Sequence, residues 1–80
     1  MDDEFKGKDL IGANLIDSDL VGADLTCANL TCANLTGANL DTEDLTDANL
    51  TGANLTGADL TGAFGGDLTG AILESEGDAR

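Results

Sequence analysis

Residues 28–40 read ANLTCANLTGANL, and this five-residue pattern runs through most of the chain. A leucine stands at every fifth position from Leu10 to Leu60, and Phe5 extends the same register towards the N-terminus. Alanine usually lies two residues before each of these central positions, and Asn or Asp lies one residue before it. Threonine commonly follows, and glycine most often comes next. The chain is therefore an internal repeat with a period of five.

A period of five fits neither an α-helix nor a continuous β-strand. On a helix, five residues advance by about 500°, so successive leucines would point in every direction. In a strand the period is two, so an odd spacing sends alternate leucines to opposite faces. A backbone that turns a corner once per repeat instead lets each Leu and the preceding Ala point inward together. Gly suits the positive φ of such a corner, and Asn or Asp can bond nearby backbone groups.

The repeated unit A-(D/N)-L-x-x, as in residues 28–32 and 53–57, resembles the pentapeptide repeat family. The resemblance covers residues 3–63 in uninterrupted register. It implies an all-β fold, a right-handed quadrilateral β-helix with four repeats, or twenty residues, in each coil. On that fold we expect one solenoid domain over residues 1–80, with about 3 to 3.5 coils spaced by about 4.8 Å.

The register breaks after residue 63. The expected leucine is missing, and Phe64-Gly65-Gly66 precede Leu68, after which the spacing of five resumes. We expect a small bulge or a cap near residues 64–67 and a partial coil over 64–73, with Phe64 folded onto the open end. A short capping helix over that segment is the alternative, because several apolar residues there also fit one helical face. Residues 74–80 are polar and are expected to fray.

Charge and composition exclude several classes of function. The 80 residues include 16 acids, three bases and no His, Tyr or Trp, and the formal net charge is −13. This balance argues against direct nucleic-acid binding, which needs clustered Lys and Arg. No nucleophile, base and oxyanion-stabilising group can be assembled, so we expect neither an enzyme nor a cofactor. We also expect no metal site, because the acids of residues 41–47 lack the spacing of a calcium loop.

The N-terminus and the cysteines indicate the cellular location of the protein. Residues 1–4 are acidic, unlike the start of a secretory signal, and the apolar runs are too short to cross a membrane. Cys27 and Cys32 are too few for a disulfide scaffold, so we interpret them as reduced corner residues. We therefore expect a cytoplasmic protein that does not associate with membranes.

A twenty-residue coil places acids above one another on one face. Glu4, Asp24 and Asp44 occupy equivalent positions there, and Glu43 stands where an inward Ala is expected. An ionised Glu43 among leucines would carry a penalty of several kcal/mol, so it should tilt out, distort the backbone or stay protonated. The acids are either a solvated surface or a binding face for something cationic. The candidate interaction face comprises Glu4, Asp24, Asp41, Glu43, Asp44 and Asp47.

A second group of candidates is apolar. Ile11, Ile16 and Val21 replace the usual exposed Thr in the first coil. Together with Phe64 they could contact a partner or a second copy at an end of the rod, giving a monomer or an end-to-end dimer. For the three β-branched residues, the alternative is a simple preference for extended backbone.

Three hypotheses about function follow. The first is a non-catalytic structural or protein-interaction module whose acidic face binds another protein, a basic one in particular. The second comes from a resemblance to the quinolone-resistance pentapeptide proteins, which mimic DNA and bind type II topoisomerase; it applies equally to other DNA-binding proteins. Size argues against it, because the rod spans about 17 Å, or roughly five base pairs. The third is adaptation to molar salt, which would screen the charge.

Overall fold

A computed structural model describes residues 5–73. Glu4 and the polar tail over residues 74–80 therefore lie outside the described residues. Over 5–73 the backbone forms no helix and no strand longer than a single bridge; parallel bridges alternate with two-residue turns at nearly every repeat. The predicted alternation of short β segments and corners is what the described chain shows.

Each corner is a tight turn that follows the central leucine. The Ala13 N–H donates to the Leu10 carbonyl at 3.0 Å, and Gly12 between them has a φ of 68°. A positive φ at the third residue of such a turn is the signature of type II. Glycine takes this position at most corners, which confirms the role predicted for it. At the others the positive φ falls on Asp17, Cys27, Cys32, Thr42 and Asp47.

Successive coils are joined by parallel backbone hydrogen bonds in a twenty-residue register. Asn29 bridges Asn49, and Asn34 bridges Asn54. At the first of these steps the Leu30 N–H donates to the Asn49 carbonyl at 2.7 Å, and the Asn49 N–H donates to the Ala28 carbonyl at 2.9 Å. Twenty residues with a corner every five give four sides. The result is a β-helix, and parallel connections of this kind are almost always right-handed.

Leucine side chains fill the inside of the coils. The seven fully buried ones are at most 2% exposed, and alanines such as Ala33 and Ala38 are buried beside them. Phe5 packs against this core at its N-terminal end, where the layer is only partly buried. These side chains are inward because Leu and Ala share strand parity within each repeat. The buried leucines are Leu25, Leu30, Leu35, Leu40, Leu45, Leu50 and Leu55.

The break near residue 64 is a shortened corner. The bridge from Asp44 to Phe64 keeps the twenty-residue spacing, but Asn49 bridges Asp67, a spacing of eighteen. Two residues are thus missing, and Gly65 and Gly66 follow Phe64 without the usual turn. The expected bulge is therefore wrong: the chain cuts the corner, and glycine permits this because a Cβ at Gly65 would lie 2.9 Å from the Thr46 Cα.

The segment after the shortened corner continues the ladder. Its bridges reach Ile72, which pairs with Asn54, and no helix forms between residues 64 and 73. Phe64 does not fold over the open end as expected. It occupies the outward position normally held by Asn or Asp, and its side chain is 54% exposed.

Candidate functional site: an acidic cleft between two coils

The outward Asn and Asp side chains stabilise the corners through hydrogen bonds to the residue two positions later. Asn29 Oδ1 accepts hydrogen bonds from the Thr31 N–H at 3.1 Å and from the Thr31 hydroxyl at 2.6 Å. Asp24 Oδ1 makes the same pair of bonds with Thr26, at 3.0 and 2.6 Å. The Thr26 hydroxyl, followed by its N–H, lowers the pKa of Asp24 below the ordinary range. This outward acid is therefore both structural and charged at neutral pH.

The structure brings three of the predicted face residues together. Asp24, Glu43 and Asp44 line an open cleft of about 420 Å³ between two stacked coils, with residues 21–23 and Thr26 on one side and Thr42 on the other. We refer to this as the Glu43 cleft. Asp41 is not among the residues that line it. Asp47 instead lines a separate groove at the shortened corner with Gly65, Gly66 and Asp67.

Glu43 is the unusual member of the cleft. Its side chain is only 3% exposed, and its Oε2 is buried without any hydrogen-bond partner. Burial is the main cause that raises its pKa to about 7; the N–H of Gly22 opposes the rise, and the charges of Asp24 and Asp44 add to it. Of the outcomes considered from the sequence, Glu43 stays inside and its acid form is favoured.

The coil-to-coil ladder is open beside Glu43. At the equivalent step one repeat further on, the Cys27 N–H donates to the Thr46 carbonyl, and two further bonds join Leu30, Asn49 and Ala28. In the described part of the chain, the three corresponding bonds between residues 22–25 and 41–44 are absent. The Asp24 to Asp44 bridge is absent with them. The longer side chain of Glu43 lies where an Ala methyl normally packs, and we attribute the open step to it.

The apolar candidates lie apart from this cleft, except for one. Ile11 and Ile16 are 56% and 45% exposed at successive corners of the first coil, and Val21, at 49%, also lines the cleft. Phe64 lies on the last described coil. Sequence reasoning missed the role of Gly22, which only the twenty-residue register could indicate. It also missed the exposed Ile72 and Leu73, whose positions depend on the shortened corner.

Other features of the described residues bear on function. Cys27 and Cys32 are free and exposed. Over residues 5–73, no group of three or more His, Cys, Asp or Glu side chains is arranged to hold a metal ion. The same part of the chain contains no helix that is both long and apolar enough to span a membrane.

A parallel ladder of short bridges around a leucine column defines the class of β-helical repeat proteins. Within that class, the sequence matches the family model for pentapeptide repeats in eight copies, over residues 5–41 and 28–64. The chain belongs to the pentapeptide repeat family, and its fold is the right-handed β-helix of that family.

Two solved structures of the family resemble the chain. HetL, a pentapeptide repeat protein involved in heterocyst differentiation regulation from the cyanobacterium Nostoc sp. strain PCC 7120, is 36% identical over 80% of this chain and 38% of its own, with a TM-score of 0.44. The protein alr5209 from Nostoc PCC 7120 is 34% identical over 84% of this chain and 65% of its own, with a TM-score of 0.31. This chain therefore spans less than two thirds of either structure. No curated protein matches it.

Proposed function

We propose that the protein is a non-catalytic interaction module whose acidic face binds a basic protein. The face consists of Glu4, Asp24, Asp41, Glu43, Asp44 and Asp47. The observation that carries the proposal is Glu43, an almost fully buried carboxyl with an unpartnered oxygen between the charges of two stacked coils. Membership of a family of repeat modules is consistent with a non-catalytic role.

The chemistry of the face favours a partner rich in Lys or Arg. Asp24 and Asp44 stand one coil apart, and like charges at such a spacing repel by about 1 kcal/mol even in water. A cationic surface relieves that repulsion, whereas a nucleic acid would add to it. Hydrogen bonds from Thr26 and Thr46 hold the Asp24 and Asp44 carboxylates in place, which reduces the ordering entropy lost when a partner binds.

A charge-matched pull-down tests the proposal. The test variant combines Asp24→Asn, Glu43→Gln and Asp44→Asn; the control combines Asp9→Asn, Asp19→Asn and Asp59→Asn, on other sides of the coil. Both replace three acids by amides, and Asn accepts the same hydrogen bonds from Thr at other corners of the chain. We expect wild type and the control to retain a basic protein at low salt and to release it at high salt, and the test variant to retain none. Equal retention by the two variants would contradict the proposal.

A second candidate is mimicry of DNA towards a type II topoisomerase or another DNA-binding protein. The stacking of Asp24 and Asp44 on successive coils favours it, because regularly spaced anions resemble a phosphate backbone. The proposed rod of about 3 to 3.5 coils spans only about 17 Å, which weighs against it. Inhibition of DNA supercoiling by a purified type II topoisomerase at low salt would support this candidate, and unchanged supercoiling at low salt would remove it.

The oligomeric state and the cellular location are two further proposals. We propose a monomer or an end-to-end dimer in which Ile11, Ile16, Val21 or Phe64 forms the contact, because all four are about half exposed. Light scattering of wild type and an Ile11→Thr, Ile16→Thr variant distinguishes the monomer from the dimer.

We also propose a cytoplasmic location, which the two free thiols support. Recovery from a periplasmic or membrane fraction would contradict it.

A further inference from the structure

The carboxyl of Glu43 lacks a partner that buried charges normally have. Ionised side chains are almost never fully buried unless they are paired. Glu43 is 97% buried, and its Oε2 contacts no hydrogen-bond donor. The Gly22 N–H acts on the carboxyl but leaves this oxygen free. A buried acceptor without a donor points to a donor that arrives from outside.

The cleft is open to such a donor. The backbone ladder between residues 22–25 and 41–44 is interrupted, so no backbone–backbone hydrogen bond across this step has to break. A Cβ built at Gly22 would meet nothing within 4 Å, which means that no neighbouring group crowds this side of the cleft.

The flanking acids also have oxygens to spare. Thr26 binds Oδ1 of Asp24, and Thr46 binds Oδ1 of Asp44. No described hydrogen bond involves Oδ2 of either residue. Three carboxyl groups with free acceptors thus line one cleft, while the described residues offer no cluster arranged for a metal ion.

We propose that the Glu43 cleft is a socket for a primary ammonium group, the side chain of a lysine on the partner protein. This inference rests on the proposed function and specifies one contact of the acidic face. A compact ammonium has three N–H donors and no acceptor, so it supplies the donor that Glu43 Oε2 lacks. Hydrogen bonds between ions of opposite charge are about twice as strong as neutral ones.

Binding of the ammonium is coupled to loss of a proton. When Glu43 is protonated, the incoming cation displaces that proton, which leaves to solvent, and a carboxylate–ammonium pair forms. The charged groups that act on Glu43 are Asp24 from the preceding coil and Asp44 beside it. Lys6 acts on Asp24, and residues 61–65 of the following coil carry no titratable side chain. Affinity should therefore rise by about tenfold between pH 6 and pH 8, the change in ionised fraction of an acid that titrates near 7.

The test is a two-dimensional NMR titration of the full chain with n-butylammonium chloride and, separately, tetramethylammonium chloride, which has the same charge but no N–H donor. We expect n-butylammonium to shift the amide signals of Gly22 and Glu43 saturably at pH 8, with at least about fivefold higher affinity than tetramethylammonium. Glu43→Gln should remove this preference, and Asp59→Asn, which also removes one charge, should keep it. Equal responses to the two cations, or an unchanged preference in Glu43→Gln, would overturn the socket.

The socket and the proposed function can fail separately. If a basic protein binds wild type and Glu43→Gln equally but does not bind the triple face variant, the acidic face is correct and the socket is wrong. If n-butylammonium binds as expected but no basic protein is retained, the socket stands and the proposed function fails. Glu43→Ala, which restores the Ala of other repeats, serves as a second variant in case the amide perturbs the fold.

Discussion

Glu43 lies in the inward position that Ala23 holds one coil earlier, and the backbone ladder between these two repeats is open. Elsewhere in the column this position carries a methyl group that packs within the spacing of two coils. The Glu43 side chain, a carboxyl group on two CH₂ groups, is too long for the space between two normally spaced coils. Glu43 therefore accounts both for the cleft and for the missing hydrogen bonds between the two coils.

Replacing Glu43 with Ala should stabilise the protein, and more so at high pH. Its pKa is raised from 4.5 to about 7, so the folded state binds the proton more tightly. That contribution is fully present below pH 4.5 and is lost as the pH rises to 7. We expect the gain of Glu43→Ala over wild type to be about 2–3 kcal/mol larger at pH 8 than at pH 5.

Urea unfolding at the two pH values measures this difference. Asp59→Asn is the control: the pKa of Asp59 is lowered by Thr61, so its titration lies below this pH range. A gain from Glu43→Ala that is equal at pH 5 and pH 8 would show that Glu43 is not buried as an acid.

Thr42→Gly should also stabilise the fold. Thr42 has a φ of 60°, and a β-branched residue in this left-handed region is strained. Glycine adopts the conformation freely, although it loses more entropy on folding. The expected net gain in unfolding free energy is about 0.5–1 kcal/mol. A loss of stability by chemical denaturation would mean that the corner has a different conformation.

The shortened corner makes Gly65 much less replaceable than Gly57. Both have positive φ, but a Cβ at Gly65 would lie 2.9 Å from the Thr46 Cα and N, while one at Gly57 would have only the Gly37 N, at 3.9 Å, nearby. Gly57→Ala should cost about 1 kcal/mol for the backbone conformation. Gly65→Ala should cost at least about 1 kcal/mol more, because backbone must move. Thermal unfolding of both variants checks this order, and equal costs would argue against the shortened corner.

Salt should raise the melting temperature. A net charge of −13 on 80 residues destabilises the compact state through self-repulsion, which molar salt screens to a range of about 3 Å. We expect a steady rise in melting temperature between about 0.1 and 2 M KCl. A flat curve would count against adaptation to high salt.

The repeat made most of the fold predictable. A leucine at every fifth position excludes helix and strand, and the glycines mark corners whose positive φ the structure confirms. The sequence also identified Glu43 as an exception. It could not show that the ladder opens, because that depends on how two coils separate around one side chain. Nor could it show that Gly65-Gly66 shorten a corner, since a register shift can arise from inserted or from missing residues.

Hydrogen exchange tests the central claim, that Glu43 opens one step of the ladder, most directly. The amides of Leu25 and Asp44 should exchange rapidly, and those of Leu30 and Asn49, their equivalents one repeat on, should be protected. In Glu43→Ala the first two should become protected as well. Protection of all four amides in wild type, or rapid exchange of the first two in Glu43→Ala, would contradict the account.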